Sequence, residues 1–356
     1  MKPKWKPTNK DGRLSFVFAI KIKRFGEYSP LLAVLGALLL AGCASPPLPT
    51  PAPPSPQPDK IMPAPIISTG CGQPAPVRPG RTAERTISSG GLRRQYLLHL
   101  PPSYQVDSPT PLVLSFHGHG ANANDQEGRT GLSRVADEQG FIAVYPQGLR
   151  GPTGATGWAT TARRTVKVDD VLFVSDLLNQ LQARLCIDPR RIFATGFSNG
   201  GGMTNVLACT MAGRLAAFAP VSGSYPPYPG GCFPVRPVPM LEIHGTEDSV
   251  VPYTGKPAMH EPPVLSWLQG WASADGCTSG PTTFYEQGDV TGMEWTGCKD
   301  DATVVHYRIA GEGHTWPPSV FVEPGAPADH TISASLLIWM FFQQHPLANP
   351  AVEQGP

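Results

Sequence analysis

Seven short apolar runs, most of them ending in glycine or a polar cluster, set the tightest limit on how this chain can fold. They cover residues 96–100, 111–116, 141–145, 191–195, 217–221, 238–243 and 303–309. Short apolar runs closed by such turn residues read as strands buried on both faces. Between them lie helical patterns at 170–185, 199–212, 264–274 and 330–345. The clearest has Val171, Val174, Leu178, Leu181 and Leu185 at steps of three and four, on one face, with Asp169 or Asp170 able to cap it. Strand alternating with helix predicts an α/β fold, a mainly parallel central sheet with helices on both faces. In such sheets chemistry collects at the carboxyl ends of the strands. The polar, glycine-rich clusters all follow strands, so they are expected along one edge.

The 356 residues are 40% hydrophobic, enough for a core. The longest apolar stretch, residues 31–42, is too short for a spanning helix, which needs about 20 residues. This excludes a polytopic membrane protein. Lys21, Lys23 and Arg24 precede that stretch, and Leu40-Ala41-Gly42-Cys43 closes it. A charged start, a short apolar run and small residues at the cut describe a signal peptide. A Cys in that place resembles the bacterial lipobox, which implies lipidation of Cys43, a mature chain beginning there and attachment to the cell envelope. Residues 43–80 hold 13 of the 42 prolines and read as a semi-rigid tether. The expected division is therefore a signal peptide at 1–42, a Pro-rich linker at 43–80, a catalytic domain at 81–346 and a tail at 347–356.

Charge separates along the same line. Residues 1–42 carry eight Lys/Arg against two Asp/Glu, and the remainder 20 against 25. The part expected to fold lacks the basic stripe that a nucleic-acid partner requires, and Arg163, Arg164 and Lys167 read as a solvated loop. Besides Cys43 there are six cysteines, an even number that suggests disulfides in an exported chain. Cys277 and Cys298, both after a glycine and flanking a short strand-rich insert, are expected to pair. Cys209 and Cys232 are the next nearest, and Cys71 with Cys186 follows by elimination. No Cys/His spacing suggests a metal.

Gly196-Phe197-Ser198-Asn199-Gly200 is a G-x-S-x-G between an apolar strand and a helical stretch, the context of a nucleophile elbow. A serine hydroxyl needs a base. His314, in the loop Gly311-Glu312-Gly313-His314 after a strand, is chosen over His306 inside that strand, over His330 and His345 at helix ends, and over His244. Asp248 in His244-Gly245-Thr246-Glu247-Asp248 is the candidate acid, with Glu247 beside it. An oxyanion needs two preorganised donors. These are the N–H of Asn199 and, in His117-Gly118-His119-Gly120, the N–H of His119, with Gly118 as the other option. Trp158 and Trp316 are candidates for stacking on a sugar or phenolic ring. No cofactor is needed.

Taken in order over roughly residues 71 to 346, the runs at 96–101, 111–120, 169–171, 196–201, 244–253 and 313–317 resemble one group. It is the polyhydroxybutyrate depolymerase-like esterases, related to the feruloyl and acetylxylan esterases of carbohydrate esterase family one. The resemblance implies an α/β-hydrolase fold, a triad of Ser198, Asp248 and His314, and hydrolysis of carboxylic esters outside the cytoplasm. Gly202 stands where a Met is expected in the pattern, which weakens the first helical turn. Enzymes that attack solid polyester usually carry a further binding domain, for which the chain leaves no room. Feruloyl, acetyl or short hydroxyalkanoate esters, on small molecules or on polysaccharide, are therefore the expected substrates, with polyhydroxybutyrate or its oligomers as the alternative. A prolyl-oligopeptidase-type peptidase and a catalytically silent glycan-binding lipoprotein are the rival readings. Oligomeric state is open.

Overall fold

The computed structural model describes residues 67–160, 168–318 and 332–348. Residues 1–42, Cys43, Arg163, Arg164, Lys167, His330 and the tail after 348 lie outside the described residues. The chain begins its sheet with β1 (Arg81–Ser89), β2 (Leu92–Leu100) and β3 (Thr110–Phe116). Helices α1 (Ala123–Thr130) and α2 (Leu132–Gln139) lead to β4 (Ile142–Pro146) and a small antiparallel pair, β5 (Leu149–Arg150) and β6 (Thr156–Gly157). Then come α3 (Asp170–Gln182), β7 (Ile187–Phe197), α4 (Asn199–Thr210), β8 (Phe218–Val221) and β9 (Met240–Gly245). Helix α5 (Val264–Ala274), β10 (Ser279–Gln287), β11 (Val290–Thr296), β12 (Val304–Ile309) and α6 (Ala334–Gln344) complete the order.

Ten strands form one sheet in the order β1-β2-β4-β3-β7-β8-β9-β12-β11-β10. From β4 to β12 the neighbours run parallel. Antiparallel pairs close both sides, β1 and β2 at one edge, β11 and β10 at the other. Alternation within β3 builds two cores: Leu112, Leu114 and Phe116 face the side with Phe173, Val206 and Leu268, while Val113 faces Val135, Trp339 and Phe342. Helices α3, α4 and α5 thus cover one face, and α2 and α6 the other, as double burial of the strands requires.

Helix α3 stops at Gln182, one turn short of the expected 185. Its cap is Asp169, whose Oδ1 accepts from the Leu172 N–H at 2.8 Å. Asp170 is buried instead against Arg94 at 2.8 Å. The linker boundary at residue 80 needs correction, because the segment from 68 onward already belongs to the fold. The Ser68 hydroxyl donates to the Leu185 carbonyl at 2.5 Å and accepts from the Ile187 N–H at 2.8 Å. Gly70 packs so tightly that a Cβ there lies 2.3 Å from the Leu185 nitrogen. The disulfides are Cys71–Cys186, Cys209–Cys232 and Cys277–Cys298, the same pairs as expected. The last ties the base of the β10–β11 hairpin. Among the described residues no helix is long and apolar enough to cross a membrane.

Candidate active site

Ser198 sits between β7 and α4 with φ 57° and ψ −119°. A non-glycine residue there is strained, by about 1–3 kcal/mol, and persists only where the surroundings enforce it. They do so here through glycines. A Cβ on Gly196 would lie 2.3 Å from the Gly200 carbonyl oxygen, and one on Gly200 2.0 Å from that of Phe116. The Ser198 N–H is held by the Val221 carbonyl at 3.0 Å, and its carbonyl accepts from Gly202 and Ser224. Gly202 is itself required, since a Cβ would lie 2.5 Å from the Ser224 carbonyl. The first turn of α4 forms around it.

The loops after β9 and β12 are laced together. Gly245 meets the backbone of Glu312 so closely that a Cβ would be 2.2 Å from its carbonyl oxygen. The Glu247 N–H donates to the Glu312 carbonyl and the Gly311 N–H to the Thr246 hydroxyl, each at 2.9 Å. The Ser222 hydroxyl holds the Thr315 carbonyl at 3.2 Å. This lacing brings His314 Nδ1 within 2.7 Å of Asp248 Oδ2. The other oxygen, Oδ1, accepts the N–H groups of Val250 and Val251 at 2.9 and 2.8 Å. Burial pushes the Asp248 carboxyl up, but hydrogen bonds from His244 and His314 outweigh it and hold the group well below the usual carboxylate range. The His314 ring lies 4.6 Å from that of Phe197, the residue before Ser198. The Ser198 hydroxyl makes no hydrogen bond among the described residues. In unliganded enzymes such bonds often tighten only when substrate binds.

Gly118 faces Ser198 at 3.3 Å from its would-be Cβ to the serine Cβ. The next N–H, of His119, and that of Asn199 find no partner among the described residues, and both residues line the same cavity as Ser198. The loop carrying Gly118 and His119 is braced by a buried histidine that the sequence reading passed over. His117 Nδ1–H donates to the Gly118 carbonyl at 2.8 Å, and Nε2 accepts the Gly148 N–H at 2.9 Å. Burial pulls its imidazole below the ordinary value, so the ring is neutral, as these partners require.

Trp158 and Trp316 do not face the cleft. Trp158 is 4% exposed, with its indole N–H on the His117 carbonyl at 2.8 Å and its edge against Phe116. It braces the loop from behind, and its own backbone N–H donates to Asn199 Oδ1 at 2.8 Å. Trp316 is 1% exposed and donates to the Ser335 hydroxyl at 3.0 Å, inside the core under α6. Indoles near glycine motifs satisfied their N–H groups by turning inward.

The cavity over Ser198 has a volume of about 640 Å³. Pro226, Pro227, His260 and Glu261 form a wall shared with a second cavity of about 540 Å³, lined by Tyr228, Trp267 and Trp271 among others. Trp267 stacks flat on Tyr225, with ring centroids 3.8 Å apart. The site thus presents a hydroxyl on a strained turn, a histidine–carboxylate pair, two N–H donors without a partner among the described residues, and an apolar annex. Such a set can attack an acyl carbon and stabilise the resulting oxyanion.

Known proteins resemble the chain in the same terms. Residues 164–266 match the Phospholipase/Carboxylesterase family. The chain is 30% identical to Feruloyl esterase B of Piromyces equi over 62% of its own length, and spans 42% of that protein. It is 32% identical to the Probable feruloyl esterase C of Aspergillus niger over 58% of its own length, covering 80% of that relative. An acetyl xylan esterase from Aspergillus awamori shares the fold, with a TM-score of 0.51 at 17% identity over 66% of this chain and 95% of that one. With fold, elbow and relatives in agreement, the chain belongs to the feruloyl and acetylxylan esterase family of α/β-hydrolases.

Proposed function

We propose that this protein is an exported serine esterase in which Ser198, His314 and Asp248 form the triad. The carrying observation is the 2.7 Å bond between His314 Nδ1 and Asp248 Oδ2, at the strand edge where Ser198 stands on its strained turn. Asp248 holds the ring so that Nε2 is the free base. The Ser198 oxygen attacks the ester carbonyl carbon while its proton passes to His314 Nε2. The carbonyl electron pair moves onto oxygen, where the N–H groups of Asn199 and His119 receive it. Collapse breaks the bond to the alcohol, which leaves with the proton from His314. Water then repeats the sequence on the acyl-enzyme, releasing the acid and restoring Ser198.

Feruloyl, acetyl or short hydroxyalkanoate esters, free or on polysaccharide, are the proposed substrates. The relatives named for feruloyl and acetylxylan esters and the aromatic annex beside the catalytic cavity support this range. Export is supported by three disulfides, which persist in oxidising compartments. Residues 1–42 are proposed as the signal, Cys43 as the lipid-bearing first residue, and the stretch to about residue 67 as the tether.

The test is hydrolysis of methyl ferulate, acetylated xylan, p-nitrophenyl acetate and a 3-hydroxybutyrate oligomer, beside labelling by a fluorophosphonate. Ser198→Ala is expected to lose the label and at least about three orders of magnitude in kcat/KM. Retention of turnover by that variant overturns the mechanism. The preferred ester assigns the substrate.

A further inference from the structure

Behind Asp248, away from the cavity, lies a chain of buried titratable groups that the proposed reaction leaves unused. His244 is the penultimate residue of β9, and its side chain is fully buried. Its Nδ1 lies 2.8 Å from Glu242 Oε1, and its Nε2 lies 2.9 Å from the Val251 carbonyl oxygen and 3.3 Å from Asp248 Oδ2. Every one of these partners is an acceptor. A carbonyl has no proton to give, so Nε2 must carry one. Glu242 Oε1 already accepts from the Tyr225 hydroxyl at 3.2 Å, and Oε2 lies 2.8 Å from His306 Nδ1. Oε1, already the acceptor of the Tyr225 hydroxyl, meets His244 as an acceptor, so Nδ1 of His244 carries a proton too. Two ring protons make His244 an imidazolium.

The remaining neighbours agree. His306 Nδ1 lies 3.2 Å from the Glu242 backbone carbonyl oxygen, and its Nε2 lies 2.9 Å from the Tyr253 hydroxyl. Tyr253 stands edge-on to His244 with ring centroids 5.9 Å apart. The charged and titratable groups around His244 are therefore Glu242 on its own strand, Asp248 on the following loop, Tyr225 after β8, Tyr253 and, on β12, His306. Burial opposes charge on His244, but Glu242 and Asp248 outweigh it and hold the imidazole up at about 10. Burial raises the Glu242 carboxyl, and the charge and hydrogen bonds of His244 with those of His306 bring it below its ordinary value.

The oxygen that His244 approaches is Oδ2 of Asp248, the one bonded to His314. We infer that His244, clamped as a permanent cation between Glu242 and Asp248, is a positioning residue that keeps Asp248 ionised and aimed at His314 and resists protonation of His314 before substrate arrives. The inference rests on the proposed triad. Glu242, His244 and Asp248 alternate in charge, and removing the cation has two effects of one sign. Asp248 becomes a stronger attractor of protons, and the like charge near His314 disappears. Both let His314 take a proton more readily, so the acid limb of kcat/KM moves to higher pH.

Glu242→Gln and His244→Gln test this on p-nitrophenyl acetate across pH, with circular dichroism and thermal melts to show that the variants fold. His244→Gln is expected to move the acid limb up by about one pH unit, the scale of one lost charge at this range, and Glu242→Gln, which removes an anion together with its hold on the cation, to move it up by less. Each is also expected to lower kcat by about ten- to a hundred-fold through misplacement, with KM little changed. A folded variant whose acid limb stays in place, whatever its rate, overturns the positioning role. The charge is read without activity by nitrogen NMR of histidine-labelled wild-type protein. His244 is expected to keep both ring protons from about pH 5 to 9. A singly protonated His244 overturns the inference even where the esterase reading stands. A wild-type protein that binds no fluorophosphonate and hydrolyses no ester, yet shows the doubly protonated ring, fails the esterase reading instead.

Discussion

A serine held at positive φ reaches the cavity only because the residues two before and two after it have no side chains. The contacts of 2.0–2.3 Å at Gly196 and Gly200 leave nowhere for even a methyl group. Asp248 is as narrowly placed, with both oxygens engaged. Asp248→Asn keeps the shape but presents an amide to His314 and favours the wrong tautomer. A loss of about four orders of magnitude in kcat at neutral pH is expected, read by steady-state hydrolysis beside unchanged melting. These residues were legible in the sequence because each stands in a glycine-flanked cluster after an apolar run. Glu242 was not, and His244 stood there only as a rival base. Glu242 occupies a position of a strand that reads as continuous core, and what makes both unusual is partners on other elements. His117 and Trp158 escaped for the same reason, since the bond between them joins residues 41 apart.

At the scale of elements, doubly buried strands declare themselves by composition, and β3, β4, β7, β9 and β12 lie within a few residues of their apolar runs. Strand β10, largely exposed, and the polar helix α1 carry no such signature. Helix α1 is set by a capping box, Asn122 with Asp125, a signal that asks for a serine, threonine, aspartate or asparagine three residues before an acidic partner. Helix α6 ends on His345, whose Nε2 meets the Thr303 hydroxyl at 3.1 Å. Burial, helped by the charge of Arg236, pulls this imidazole from 6.5 down to about 4. Between those values the unfolded chain binds a proton that the folded chain refuses, so stability falls as pH drops through that window. Asp275, raised by burial from 3.8 to about 6, works the other way. His345→Gln is therefore expected to flatten or reverse the decline of Tm from about pH 6.5 to 4, as followed by thermal melts.

For the whole molecule, the six cysteines divide by the length of chain they close. Cys71–Cys186 spans 115 residues, against 23 and 21 for the other two bridges. Loop entropy assigns about 4.7 kcal/mol to a loop near 100 residues and about 3 kcal/mol to one near 15. Cys71→Ala with Cys186→Ala is thus expected to lower Tm more than Cys277→Ala with Cys298→Ala, by calorimetry without reductant. The longer bridge also fastens the segment around Ser68 to the end of α3, which proline counting had assigned to the tether. Prolines carry a different meaning at the cleft, where Pro226 and Pro227 stand between the two cavities. Their rings fix one backbone torsion each and remove two N–H donors. That stretch of wall has little backbone freedom left to surrender, so it meets whatever enters either cavity as a standing shape.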